Sequence, residues 1–173
     1  MTVRVFVPGD SGARAVGADE VAVVLAAEAA SRGLDVAIVR NGSRGLYWLE
    51  PLVEVQAAGG RVAYGPVGVD DVTGLLDAGL LDGAPHPLGH GPTEDIGWLA
   101  SQQRVTFARV GVVDPRSADD FEAHGGLVGL RAALACPRPT SWRRSSPPGS
   151  AVAAAPASRP GSSGAPWPRR PRR

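Results

Sequence analysis

The sequence predicts an α/β protein, and three observations predict it. Short apolar runs with alternating side chains are separated by segments with helical spacing. Their order is strand, helix, strand, a hairpin of two strands, then helix. Both periods then fade, and after Cys136 neither is found.

The elements follow in order. Val3, Val5 and Val7 alternate with Arg4 and Phe6 in a short strand ended by Pro8 and Gly9. Residues 19–31 read as a helix: Asp19 takes the N-cap position, Val21, Val24, Leu25 and Glu28 fall at helical spacing, and Gly33 stands where a C-cap belongs. The run DVAIVR is a second buried strand, and the strand–helix–strand order implies a right-handed parallel pair. Residues 52–57 and 61–64 form a hairpin about Gly59 and Gly60. Residues 70–81 are a second helix, with Asp70 or Asp71 at its start. The order β-α-β-β-β-α is that of a thioredoxin-like fold, assigned here to residues 1–85.

Residues 86–135 change character and read as a mostly helical connector that packs on something else, having too few large apolar residues for a domain of its own. HPLGHGPTEDIGWLASQQ is loop punctuation followed by a helix from about Thr93, which is placed to cap it. RVTFARVGVVDP reads as an extended apolar piece closed by Asp-Pro. Ser117 and Asp120 resemble a capping box, and GGLVGLRAALA is a further short helix. Residues 136–173 are a Pro-, Arg- and Ser-rich tail. Nine of its last 37 residues are Pro and none is Leu, Ile or Phe. Such a stretch buries too little surface to offset chain entropy, so disorder is expected.

Charge divides the chain at the same place. Ten Arg stand against seventeen acids before residue 137, and eight Arg with no acid follow it. The formal net charge of +1 therefore hides an acidic body and a basic tail. The chain has no Lys and is rich in Ala, Gly, Arg, Pro and Val, the signature of GC-rich coding. A single Cys excludes an internal disulfide framework and suits a reducing cytoplasm. No run approaches the roughly 18 apolar residues of a membrane span. The start, MTVRVFVPGD, lacks the regions of a signal peptide.

The stretch NGSRGLYWLEPLVEV, residues 41–55, has the shape of a ligand loop but no Cys, His or carboxylate before Glu50. It resembles a loop in the flavoprotein (beta) subunits of NAD-reducing formate dehydrogenases and related hydrogenases. In their cluster-bearing relatives the loop after the second strand runs close to T-G-C-x-G-x-C-x-x-x-P-L-V-x-V, and its two cysteines hold one iron of a [2Fe–2S] cluster. Ser43 and Tyr47 stand at those degenerate cluster-ligand positions. The partner loop, PGDSGARAVGAD, also lacks Cys. Iron–sulfur clusters take thiolate ligands, so the resemblance is to a cluster-free version, with the loop's frame of Gly42, Gly45 and Pro51 retained.

The connector extends the resemblance. In the NADH-binding flavoprotein subunit of respiratory complex I and its formate dehydrogenase counterparts, the lead-in to the flavin domain runs close to Gln-x-Arg, Asn-x-Gly-x-Ile-Asp-Pro, Asp-Asp/Glu-Tyr and Gly-Gly-x-x-Ala-Leu. Here Gln103–Arg104–Val105, Gly111 with Asp114–Pro115, Asp120–Phe121 and Gly125–Gly126 match in order, with Arg109 for Asn and Phe121 for Tyr. The resemblance covers residues 3–135. It implies other formate dehydrogenase subunits as partners, and FMN, NAD and [4Fe–4S] as cofactors of the parent rather than of this chain. On this expectation Leu99, Val105, Phe107, Val110, Val112 and Val113 are partly exposed, waiting for a flavin domain.

A glycine-rich flavin motif near G-L-R-G-R-G-G-A-G-F-P-T-G-x-K-W should follow. Back-translating residues 140–168 and moving the frame by one base gives DVVAEVVAAGLRGRGGAGFPAGIKWRTVA, which contains it at the expected distance. Third bases are free at most of these codons, whereas Trp142 fixes one. The tail is therefore read as frameshifted. The chain as written is expected to lack catalytic, cofactor-binding and metal residues, to be inactive alone and to keep a structural or docking role.

Rival classes fare less well. A thiol oxidoreductase needs a low-pKa Cys in a C-x-x-C setting, which is absent. Nucleic-acid binding through the Arg tail with Trp142 and Trp167 competes with the fact that a shifted GC-rich frame yields Arg and Pro by default. A free-standing interaction protein whose basic tail is genuine, binding nucleic acid or an acidic partner, is the alternative. His86, His90 and His124 lack ligand spacing and read as surface histidines. Asp119, Asp120 and Glu122 read as a solvated helix start. Tyr47 and Trp48 are expected to be partly buried against a neighbouring domain or subunit.

Overall fold

The computed structural model describes residues 2–136, and the expected disorder of the tail lies outside the described residues. The chain begins with β1 (Val3–Phe6), α1 (Ser11–Ala15), α2 (Ala18–Ser31) and β2 (Val36–Val39). The hairpin β3 (Val53–Ala57) and β4 (Gly60–Tyr64), then α3 (Asp71–Asp77), complete the core. Beyond it lie β5 (Gly89–Pro92), α4 (Gly97–Ala100), α5 (Ala118–Ala123) and α6 (Val128–Ala135). The sheet order is β2-β1-β3-β4-β5. Strands β1 and β2 are parallel, and the other neighbours are antiparallel. A βαβ unit joined to a ββα unit through β1 and β3 is the thioredoxin-like arrangement, so the expected fold is observed.

Two faces of the sheet are covered differently. On one, Val5, Val53, Val55 and Tyr64 pack against Val21 and Leu25 of α2 and Val72 and Leu75 of α3. On the other, Leu46, Leu49 and Leu52 from the loop after β2 meet Ala63 of β4 and Leu99 of α4. The period-2 pattern of the strands and the 3.6 period of the helices both point their apolar sets at these layers.

Several boundaries moved. Helix α2 starts at Ala18 behind Gly17, whose φ is 102°. Asp19 is thus not the cap but a first-turn acid, drawn instead to Arg14 at 2.7 Å and Arg40 at 2.6 Å. Those two guanidiniums, Arg40 first, hold its carboxyl below the usual range. Gly33 does end the helix, with φ 65° and with the Leu34 N–H bonded to Ala29 O. Strand β2 is an edge strand, so only Val39 of it is fully buried. Helix α3 stops at Asp77, before Gly79 at φ 90°. Strand β5 reads as a loop in the sequence because Gly-His-Gly-Pro carries no strand signal, and an edge position tolerates it.

The connector also departs from expectation. Thr93 caps nothing: it is buried, and its Oγ1 has no partner. Residues 104–115 are not extended but wind through turns, with Val112 and Val113 both donating to Arg109 O. Leu99 and Val113 are buried, correcting the expected exposure, whereas Val105, Phe107 and Val110 are exposed. Ser117 does cap α5, its Oγ accepting the Asp120 N–H at 3.1 Å. The Asp120 carboxylate, however, turns back to the Asp114 N–H at 2.7 Å, which lowers its pKa, rather than completing the box.

Candidate functional site

The candidate site is the pair of loops at the carboxyl ends of β1 and β2, the end of a parallel pair where α/β proteins place ligands. Pro8 and Gly9 end β1. Asp10 then caps α1, its Oδ1 accepting from the Gly12 and Ala13 N–H groups. Its Oδ2 reaches across to the second loop and accepts the Ser43 N–H at 2.8 Å. Ser43 Oγ donates to Glu50 Oε1 at 2.7 Å and accepts the Gly45 N–H at 3.0 Å. Glu50 Oε2 accepts the Leu52 N–H at 3.0 Å. Burial pushes the Glu50 carboxyl above its usual range, against the lowering effect of the Ser43 and Leu52 bonds. A continuous polar chain therefore sets the shape of both loops.

Beneath the second loop lies a buried ionic cluster. Arg44 and Glu54 are 2% and 1% exposed and 3.0 Å apart. Arg44 also reaches Glu94 at 2.9 Å. Arg61, stacked 3.4 Å over the Phe6 ring, meets Glu54 at 3.4 Å. Burial drives its pKa down from the usual guanidinium value. Arg61 and Asn41 both donate to Gly111 O, at 2.8 and 2.7 Å, and Arg61 also bonds Val112 O. This cluster pins the connector to the second face of the sheet. Gly111 has φ 81°, and a Cβ there would lie 2.4 Å from Arg44 Cδ, so the glycine of the connector motif is required by close packing. Gly126 is required likewise, because a Cβ would meet the Phe121 ring at 2.2 Å.

Of the two positions singled out by the sequence resemblance, Ser43 points inward and is hydrogen-bonded through its N–H and Oγ, while Tyr47 points out and is 70% exposed. Trp48 is 57% exposed and Trp98 54%. Their rings meet edge-on, 5.7 Å between centroids at 86°. The expected partial burial of Tyr47 and Trp48 is not supplied by the described residues. The structure brings Trp98 to the loop, a pairing 50 residues apart that sequence spacing does not signal. Asp10, Arg44, Glu54 and Arg61 were also invisible as a group: period 2 alone would put Glu54 in solvent.

The other candidates stay apart. The ring nitrogens of His86, His90 and His124 bond the Leu88 N–H, Gly65 O and Asp120 O. Among the described residues no group of three or more His, Cys, Asp or Glu side chains is placed to hold a metal ion. Asp120 lies 3.5 Å from Arg4 and 3.7 Å from His124 Nδ1. An iron–sulfur cluster, which the resemblance to cluster-bearing relatives raises, does not fit. Ser43 Oγ is spent on Glu50 and Gly45, Tyr47 faces away, Asp10 is spent on three backbone N–H groups, and Cys136 is the chain's single thiol. The flavin motif expected after the connector lies outside the described residues. No helix among the described residues is long and apolar enough to cross a membrane.

Fold and site together define a thioredoxin-like α/β module whose loops after β1 and β2 are joined by hydrogen bonds. No family model matches the chain, and no curated protein matches it in sequence. Among solved structures it is similar to a thioredoxin-like [2Fe–2S] ferredoxin from Aquifex aeolicus, with 24% identity over 52% of this chain and 97% of that one, at a TM-score of 0.44. A cysteine-to-serine variant of that ferredoxin gives 26% identity over 51% and 98%, at 0.43.

Proposed function

We propose that residues 2–136 are the cluster-free thioredoxin-like module and connector of a formate dehydrogenase beta-type flavoprotein subunit, with a structural and docking role in the cytoplasm. The parent passes electrons between iron–sulfur centres and NAD through FMN. This module carries none of that chemistry and meets the other formate dehydrogenase subunits. The observation that carries the reading is the loop pair: the Gly-x-x-Gly and Pro frame of a ligand loop is kept, while Asp10, Ser43 and Glu50 close it without thiolates. The exposed Tyr47, Trp48 and Trp98 beside it supply a docking face, since aromatic groups of this size are enriched at the centres of interfaces. The connector motif supports the reading too, because Gly111 and Gly126 have packing reasons to be glycine. The chain's tail is then a shifted frame of the flavin domain's first loop.

The test is expression with the frame restored near codon 136. The longer product is expected to bind FMN and to oxidise NADH with an artificial acceptor, and the chain as written to do neither. A restored product that binds no flavin would reject the reading. The eight Arg after residue 136 favour one second reading, a free-standing interaction protein that binds nucleic acid or an acidic partner through its tail. It predicts salt-dependent binding to polyanions that truncation at residue 136 abolishes.

A further inference from the structure

A cavity of about 420 Å³ opens between the carboxyl ends of β1 and β2 and the connector. It lies outside the docking face and is not used by the function proposed above. Its walls are mostly apolar: Val110, Val113, Pro115 and Phe121 on the connector side, and the backbone of Gly9 and Gly42 on the other. A volume in the range of small-ligand sites, apolar walls and a few polar groups make up the usual composition of a binding pocket.

The polar groups select the ligand's charge. Arg109 lines the cavity, with Nε donating to His124 O and Nη2 to Gly125 O, and it lies 5.2 Å over the Phe121 ring. Its Nη1 has no partner, and no carboxylate neutralises it, among the described residues. Arg40 lines the opposite side, held by Val7 O, Pro8 O and Asp19, also with Nη1 unused. Asp10 is the one acid on the wall, and three backbone N–H groups already occupy its carboxylate. Asn41 lines the cavity too; it is 2% exposed, and its Oδ1 has no partner.

We propose that this cavity binds a small carboxylate with an apolar body, the carboxylate against Arg109 and the body between Phe121 and the valines. A guanidinium offers a carboxylate a planar, charge-assisted donor. The Phe121 ring lies beside that guanidinium, so a cationic and an aromatic surface adjoin on one wall, matching a charged head and an apolar body.

Benzoate is the probe, with benzyl alcohol as its neutral counterpart, and binding to the full chain is read by ligand-observed NMR titration. Benzoate is expected to bind at least about tenfold more tightly than benzyl alcohol, the difference of one charge-assisted hydrogen bond. Arg109→Gln should abolish that preference, and Arg109→Lys should keep part of it. Because Arg109 also holds the connector, Val110→Trp, which fills the cavity and leaves Arg109 in place, should abolish binding of both probes with the fold intact by circular dichroism. Absence of benzoate binding, equal affinity for the two probes, or binding unchanged in Val110→Trp would overturn the proposal.

Discussion

Asp10 and Ser43 lie 33 residues apart and are joined at 2.8 Å, the Ser43 N–H donating to an Asp10 oxygen. The other Asp10 oxygen caps α1. One carboxylate thus ties together the two loops that follow β1 and β2. Removing it leaves the Ser43 N–H and two helix-end N–H groups without acceptors. Asp10→Ala is expected to cost about 2–3 kcal/mol, the sum of a lost cap and an unpaired amide, read as a lowered urea midpoint. Asp10→Asn should retain much of the loss. A midpoint unchanged in Asp10→Ala would contradict this role.

Glu54 is the anion shared by Arg44 and Arg61 beneath the connector. Glu54→Gln takes from Arg61 its carboxylate partner and leaves Arg44 with only the exposed Glu94, and breaking a buried pair in this way costs about 3–5 kcal/mol. The double variant Arg44→Met with Glu54→Leu should be clearly less destabilised than the sum of the single changes, since it removes both charges together. Additive effects would show that the pair is not coupled.

Glu50 gives a pH dependence. Burial raises its folded-state pKa, so folding favours the protonated carboxyl. Its contribution to stability is fully present below the ordinary glutamate range and is lost as the pH rises through the elevated folded value. Glu50→Gln mimics the protonated form. Its melting temperature relative to the parent should therefore improve as the pH is raised from the ordinary glutamate range towards neutrality. A constant difference across that range would mean that the carboxyl ionises without cost.

Reconstitution tests the fit of a metal. Incubation with iron and sulfide under anaerobic conditions, or with FMN, is expected to leave the purified chain colourless. Ser43→Cys with Tyr47→Cys should remain colourless as well, because Tyr47 faces solvent and the loop from Asp10 to Asp19 supplies no second pair of thiolates. A stoichiometric chromophore after gel filtration would refute this.

Much of the core was legible in the sequence. The alternation of Val3, Val5 and Val7, the helical spacing of Val21 and Leu25, and the glycine-marked hairpin are local signals, and local signals fix strands, helices and hairpins, although the turn falls on Ala58–Gly59 and Gly60 opens β4 opposite Ala57. What stayed hidden depends on partners far along the chain. Strand β5 is paired by β4 despite a Gly-His-Gly-Pro sequence, and residues 104–115 turn because Arg61 and Asn41 draw the Gly111 and Val112 carbonyls inward. Ser43 and Tyr47 were legible as a pair of positions, but their opposite orientations were not. Asp10 read only as part of a loop, because its acceptor role is created by a backbone N–H in another loop.

The most direct test of the account is the DNA sequence of the locus, read from codon 136 onwards in the shifted frame. A shifted flavoprotein gene should show the glycine-rich stretch A-G-L-R-G-R-G-G-A-G-F-P-A-G-I-K-W followed by a long open frame with the remainder of a flavoprotein. A locus with no such frame beyond that stretch would contradict it, and would make the Arg-rich tail a segment with a function of its own.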